Sequence, residues 1–340
     1  MTDRAARIDA FLAAAGWADA VRHPLAGDAS LRRYLRLRDG PRGAILMDAP
    51  PETGEDVRPF LTMAAHLAGA GLSAPRIMAQ DETAGLLLME DLGDALLARV
   101  AADDPAREAD LYAEAARTLA AMQATPAPDL VPYPPDMPDL AATVLDWYAP
   151  ERRGDRSDLV AALTEAIAAM PPGPDVLLHR DFHAENLLWL PDRNGPARIG
   201  ILDFQDARTG PAEYDLASLI DDPRRTVTPA ARAAAIAAWR TATGAEEDAT
   251  VHRTAICSVQ RALRILGRTA SRLCLRQDRD GYVHLIPPAW AVLQDRLDHP
   301  ALADLRALLA NLPEPTPARL AALRAASGLF AGRDHAEPYA

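Results

Sequence analysis

His179-Arg180-Asp181-Phe182-His183-Ala184-Glu185-Asn186, followed by Ile201-Leu202-Asp203-Phe204-Gln205-Asp206, is the stretch on which the reading of this chain turns. An apolar run, Asp175-Val176-Leu177-Leu178, leads into the first segment, and Leu187-Leu188-Trp189-Leu190 leads out of it. Pro191 to Pro196 is a cluster of turn formers, and Arg198-Ile199-Gly200-Ile201-Leu202 reads as a returning strand. Asp181, Asn186 and Asp203 are therefore expected at one end of a small hairpin. That set suits phosphoryl transfer from a magnesium nucleotide. One Asp orients a hydroxyl and accepts its proton, while an Asn and a second Asp hold metal against the phosphates. His179, Asp181 and His183 also spell His-x-Asp-x-His, a pattern compatible with a hydrolytic metal cluster. That reading leaves Asn186 and the later Asp-Phe pair without a role. His179, beside an apolar strand, reads as a structural histidine. Asp215, at the start of the periodic run Leu216, Leu219, Ile220, reads by position as a helix-cap carboxylate.

The spacing His-x-Asp-x-x-x-x-Asn before a strand ending in Asp-Phe matches the protein-kinase catalytic set. His179 to Asn186 resembles the catalytic loop of the aminoglycoside phosphotransferase and choline kinase group, within the protein-kinase-like fold. Asp203 to Pro211 and Tyr214 to Ser218 resemble that group as well, and Gln205 stands where its small-molecule kinases replace the Gly of Asp-Phe-Gly. From Asp203 to Leu219 the chain is most similar to bacterial kinases that phosphorylate the anomeric hydroxyl of N-acetylmuramate and N-acetylglucosamine. The resemblance implies an α+β, two-lobe fold with a small mixed-sheet lobe and a larger, mainly helical one. It implies ATP and Mg2+ in the cleft and a small-molecule sugar acceptor. Asp181 becomes the base or hydroxyl-orienting residue, and Asn186 and Asp203 the metal ligands. His179 holds the loop by hydrogen bonds, and Asp215 braces the loop backbone. Kinases of aminoglycosides, choline or homoserine are the alternatives within the group.

The bulk properties bound these expectations. At 340 residues the chain exceeds the usual size of one core. Its net charge of -12 disfavours a nucleic-acid partner. Two cysteines, Cys257 and Cys274, lack metal-type spacing and read as free buried thiols of a reducing compartment. The first residues are amphipathic rather than continuously apolar, so neither a signal peptide nor a membrane span is expected, and the location expected is the cytoplasm. All 36 basic residues counted as lysine or arginine are arginine. The absence of lysine removes P-loop, Schiff-base and Ser-x-x-Lys chemistry.

Taken in order, the spacing of Ile8, Phe11, Leu12 and Ala15 predicts a helix stopped by Gly16. Arg22 to Arg38 holds two strands around Gly27-Asp28-Ala29-Ser30, a phosphate-covering turn on the kinase reading, with Ser30 and Arg33 as nucleotide contacts and Arg32 beside Arg33 as a further charge, though arginine on an exposed strand is more often solvated. Ala44-Ile45-Leu46-Met47 is the third strand, and Met47 occupies the place of the phosphate-contacting lysine. That departure makes a weakly active variant conceivable. Thr53-Gly54-Glu55-Asp56 looks like a capping box before a helix with Val57, Phe60, Leu61, Ala64 and Leu67 inward. Gly85 to Glu90 is a buried strand leading to a hinge at 91–93, where Glu90 and Leu92 lie beside adenine. The division expected is thus 1–90, hinge 91–93, 94–330, and a frayed tail at 331–340. Pro126 to Pro138 reads as an extended linker. Helices are expected over 106–123, 139–148, 158–170, 230–241, 251–275 and 288–297. For the acceptor, Trp147 and Arg261 are the candidates; Arg261, Arg264 and Arg268 share one helical face.

Overall fold

The computed structural model describes residues 2–25 and 32–339. Ser30 and the turn that carries it lie outside the described residues. The chain divides into two compact units, Met1–Asp103 with Ala184–Ala207, and Asp104–His183 with Arg208–Ala340. The proposed hinge residues 91–93 fall inside the first unit. The chain opens with Thr2–Ala14 (α1), Val21–Pro24 (β1), Arg33–Asp39 (β2), Arg42–Asp48 (β3), Arg58–Gly69 (α2), Ile77–Asp81 (β4), Leu86–Glu90 (β5) and Leu97–Asp103 (α3). Glu108–Ala124 (α4), Met137–Trp147 (α5), Arg156–Ala168 (α6) and Asp175–Leu178 (β6) follow, then Leu187–Trp189 (β7), Ile199–Ile201 (β8) and Arg208–Pro211 (β9). Glu213–Ile220 (α7), Pro229–Thr243 (α8), Glu247–Arg264 (α9), Arg272–Gln277 (α10), Ile286–Leu297 (α11), Ala303–Leu309 (α12) and Pro317–Ala325 (α13) complete the second unit.

In the first unit an antiparallel five-stranded sheet runs in the order β1-β2-β3-β5-β4. Successive side chains of a strand face opposite ways, and the sequence uses both faces. Leu37, Ala44, Leu46, Leu86 and Leu88 form one apolar face, covered by Ile8 and Leu12 of α1 and by Trp17. Each such leucine contributes roughly 1.5–3 kcal/mol by full burial. Met47 and Leu87 are paired and buried on the other face, and Ile45 pairs there with Met89. The interior strand β5 is therefore covered on both sides, and this is why it reads as an unbroken apolar run. The capping signal at Thr53 is corrected. Thr53 Oγ1 donates to Pro50 O at 2.7 Å, Gly54 takes a φ of 85°, and α2 begins at Arg58, whose N–H is accepted by Asp56 at 2.9 Å. A second piece of this unit is the β7–β8 hairpin, with Leu187 opposite Ile201.

In the second unit, α5, α9 and α11 with the flanking helices enclose a core that includes Trp147, Leu263, Leu266 and Leu293. Elsewhere Trp239 of α8 donates its indole N–H to Gln123 of α4 at 2.8 Å. β6 pairs with β9, not with β7. Pro126 to Pro138 is anchored rather than extended free, since the Tyr133 N–H donates to Thr209 O at 2.8 Å and the ring is buried. Nor do the described tail residues 331–339 fray as expected. Ala336 is buried and donates its N–H to Asp146 O at 2.9 Å, while the Tyr339 hydroxyl donates to the carbonyls of Trp147 and Tyr148.

The helix expected over 251–275 is interrupted. After α9 the turns widen into a π-helical stretch, Ile265–Ser271, before α10. A Cβ on Gly267 would lie against the backbone of Thr143 and Val144 in α5, well inside van der Waals contact. Gly267→Ala must therefore push the π-helical stretch and α5 apart, and overpacking of this kind costs about 1–3 kcal/mol or more. The expected result is a matching fall in unfolding free energy in urea. A variant as stable as the parent would contradict the close packing described.

Candidate functional site

Each unit carries part of the sequence-predicted set. In the first, a cavity of about 440 Å³ is lined by the apolar side chains of Leu25, Ile45, Met89, Leu92, Leu188 and Leu202, and by polar Arg32, Tyr34, Asn186, Asp203 and Asp206. An apolar slot with a few convergent polar groups suits a ligand with one flat apolar part and one charged part. The β7–β8 ladder continues one step past its strands, with Asn186 O accepting the Leu202 N–H at 2.9 Å. Asn186 and Asp203 thus emerge from the same end of the hairpin. Asp203 has a φ of 61°, a left-handed conformation that Asp tolerates better than most residues. Phe204 is held against Phe60 of α2, with ring centroids 4.6 Å apart. Gln205 Nε2 donates to Asp203 Oδ1 at 2.8 Å. The carboxamide of Asn186 and the carboxylates of Asp203 and Asp206 offer oxygen donors only, which is the chemistry a small hard cation requires.

Glu90 and Leu92 both line this cavity. The Glu90 carboxylate is taken up by Arg193 at 2.7 Å, and its N–H donates to Arg76 O at 2.9 Å. Arg33 is placed differently from the expectation. It lies on the far face of β2, 64 % exposed, with its guanidinium on Asp48 at 2.5 Å. Arg32, Tyr34 and Arg36 alternate onto the cavity face instead. Arg36 is locked to Asp91 and Asp94 at 2.9 and 2.6 Å.

The second unit holds the loop 179–183. Asp215, fully buried on α7, accepts the N–H groups of His179 and Arg180 at 2.6 and 2.8 Å. Its burial pushes its carboxyl up, against the lowering effect of His179 and of those two N–H bonds. The bracing expected of Asp215 is thus a pair of backbone hydrogen bonds. Arg180 has a φ of 76°, which costs a non-glycine residue on the order of 1–3 kcal/mol and persists only where the surroundings hold it. Here its N–H is fixed by Asp215, its carbonyl accepts from Arg261 at 2.7 Å, and its guanidinium lies 4.7 Å from the Tyr133 ring centre. His179 is buried, edge-on to Phe182, and its Nδ1 accepts the Asp181 N–H at 3.3 Å.

Asp181 accepts from Arg264 at 2.9 Å, with Arg261 at 3.9 Å, and its side chain is 34 % exposed. Desolvation pushes the Asp181 carboxyl up, but the charges of Arg264 and Arg261 outweigh it and hold the group well below the usual carboxylate range. His183 is pushed well below its ordinary value by burial and by Arg224, against the pull of Asp181, so it is neutral at pH 7. Among the described residues no three His, Cys, Asp or Glu side chains gather as a metal-holding group. The His179–Asp181–His183 cluster is therefore not formed.

Because the folded Asp181 pKa lies below the unfolded value of about 3.9, its ionised form stabilises the fold above that value. This contribution is lost as the pH falls through the depressed folded pKa. Denaturant titrations of the parent and Asp181→Asn should show a stability difference at pH 7 that shrinks progressively below pH of about 4. A difference that grows in acid would contradict the ion pairs with Arg264 and Arg261.

Two acceptor expectations are corrected. Trp147 is 2 % exposed and belongs to the core of α5 and its neighbours. Arg261 is buried, donates to Arg180 O, and lies 5.1 Å from the Tyr214 ring centre, so it supports the loop rather than facing solvent. Arg264, read in the sequence as part of a stripe, is the partner of Asp181. Part of the signal was available: apolar Val259, Ala262, Leu263, Ile265 and Leu266 are interleaved with these arginines, and buried arginines require partners. Arg32 carried only the general signal of a charge beside the turn, and Glu55 none for this site.

The sequence matches the Phosphotransferase enzyme family over residues 21–250, a range that includes both motif segments and Asp215. The N-acetylmuramate/N-acetylglucosamine kinase of Caulobacter vibrioides is 37% identical, over 90% of this chain and 96% of its own length. The kinase of the same name from Pseudomonas aeruginosa is 34% identical, over 86% of this chain and 88% of its own. Among solved structures, a choline/ethanolamine kinase family protein from Mesorhizobium loti aligns with a TM-score of 0.54 at 19% identity, covering 95% of this chain and 99% of its own. Choline kinase from Cryptosporidium parvum aligns at 0.61 and 12% identity, covering 90% and 98%. The fold is the α+β, protein-kinase-like one expected. A family match over most of the chain, together with relatives above 30% identity along nearly all of it, places this protein in the phosphotransferase enzyme family.

Proposed function

We propose that this protein is an ATP-dependent kinase that phosphorylates the anomeric hydroxyl of N-acetylmuramate and N-acetylglucosamine, a cytoplasmic step in cell-wall sugar recycling. The acceptor assignment is carried by the relatives named for these two sugars, which match nearly the full chain. The cavity of the first unit supports the nucleotide assignment. Its apolar slot beside Glu90 and Leu92 fits adenine, and Asn186 and Asp203 fit Mg2+ by donor chemistry. Bound there, Mg2+ would neutralise phosphate charge. Asp181 accepts the hydrogen bond of the anomeric hydroxyl and aims its oxygen at the γ-phosphorus. As the new O–P bond forms and the bond to ADP breaks, the hydroxyl proton passes to Asp181. Its ion pairs with Arg264 and Arg261 hold the carboxylate in place to orient the hydroxyl, and this suits a loose transition state in which catalysis is mostly positioning. Asp215 keeps the loop in register throughout.

A panel of N-acetylmuramate, N-acetylglucosamine, kanamycin, choline and homoserine with ATP and Mg2+, read by product mass, tests the assignment. Monophosphates of the two sugars alone are expected. Phosphorylation of kanamycin or choline with both sugars inert would overturn it.

A further inference from the structure

We infer that Arg32 is the side chain that grips the nucleotide's phosphate chain, in place of a lysine this chain does not possess, and that Glu55 positions it. The inference rests on the first-unit cavity being the nucleotide site. Met47 stands where a lysine is expected on β3, but it is 1 % exposed and does not line the cavity. Its cross-strand partner is Tyr34. Arg32 lies two residues before Tyr34 and, like it, lines the cavity. Diagonal neighbours of this kind are about 7–8 Å apart, within reach of a long side chain. Arg32 thus leaves the neighbouring strand near the place a β3 lysine would occupy.

Its surroundings are built rather than incidental. The side chain is 13% exposed, and its Nε donates to Glu55 Oε2 at 2.8 Å, with Glu55 itself 16% exposed. Glu55 is set by the turn between Pro51–Thr53 and α2. The arginines of β2 serve different ends: Arg33 pairs with Asp48 on the far face, Arg36 is shared between Asp91 and Asp94, and Arg38 pairs with Asp91. The Glu55 ion pair uses only Nε–H. A guanidinium has four further N–H donors in a planar fork, a geometry that matches two phosphate oxygens at once. Asn186, Asp203 and Asp206 bring oxygen donors and negative charge to the same cavity. An anionic phosphate chain there needs a fixed cation opposite them.

Calorimetric titration of the full-length protein with ATP, ADP and adenosine, all with Mg2+, tests this. Arg32→Gln should weaken ATP and ADP binding by about tenfold or more and leave adenosine within about twofold. Arg32→Lys should restore part of the loss. Glu55→Gln should weaken ATP by a smaller factor, again without touching adenosine. Arg32→Gln binding ATP as tightly as the parent would overturn the inference and leave the nucleotide site standing. If the parent binds ATP no more tightly than adenosine, the nucleotide reading and the inference fail together. Should Arg32→Gln lose adenosine as well, Glu55→Gln decides: unchanged ATP affinity overturns the inference, and a selective loss upholds it.

Discussion

Asp181→Asn is expected to lower kcat by roughly a hundredfold to ten-thousandfold, the usual loss for a positioned proton acceptor, with ATP affinity nearly unchanged. The variant keeps the shape and one hydrogen-bond acceptor toward Arg264, which now lies 2.9 Å from Asp181 Oδ1. It cannot take the hydroxyl proton, and it leaves the positive charge of Arg264 and Arg261 uncompensated. The separation of kcat from nucleotide affinity is the discriminating part. Asp181 belongs to the second unit and the cavity residues to the first, so a binding defect as large as the rate defect would mean that the substitution had disturbed more than the chemistry. Steady-state kinetics with ATP and sugar varied in turn, beside a nucleotide titration, separate the two. Near-parental turnover would remove Asp181 from its role.

Asp203 calls for a different variant. Its φ of 61° makes alanine a poor choice, because a left-handed conformation costs an ordinary residue about 1–2 kcal/mol and would confound a functional loss with strain. Asn tolerates that conformation and keeps an oxygen. Asp203→Asn is therefore expected to unfold at nearly the parental temperature yet lose about tenfold or more in Mg-ATP affinity and most of its turnover. A magnesium site has few protein ligands, so the charge of one matters. Asn186→Ala should raise the Mg2+ requirement less. Magnesium titrations unchanged in both variants would place the metal elsewhere.

How much of this was legible in the sequence varied with the kind of signal. The motif residues were legible because fixed spacing survives any uncertainty in helix or strand ends. Hairpin register then brings Asn186 and Asp203 to one end. The doubly covered strand β5 was legible as an apolar run. Arg33 was misplaced because a strand has period two, so a single-residue choice flips a side chain to the opposite face. Only the neighbours of Arg32 and Arg33, Glu55 and Asp48, reveal which is which. Trp147 could not be sorted between core and pocket, since an aromatic residue on an amphipathic helix serves either. The arginines of α9 share a face by spacing, but that the face is buried against the loop 179–181 depends on long-range packing. The π-helical stretch around Gly267 and the docking of Tyr339 are likewise products of tertiary contact, with no local propensity to announce them.

Phosphoryl transfer to the anomeric hydroxyl of an N-acetylated amino sugar is open to a direct test. ADP release is to be measured with N-acetylglucosamine and with its anomeric methyl glycoside, each with ATP and Mg2+. The free sugar should drive ADP release and yield an acid-labile phosphate at the anomeric carbon, and the glycoside, whose acceptor hydroxyl is blocked, should drive none. Equal ADP release with the glycoside, or a phosphate found at any other hydroxyl, would contradict the claim.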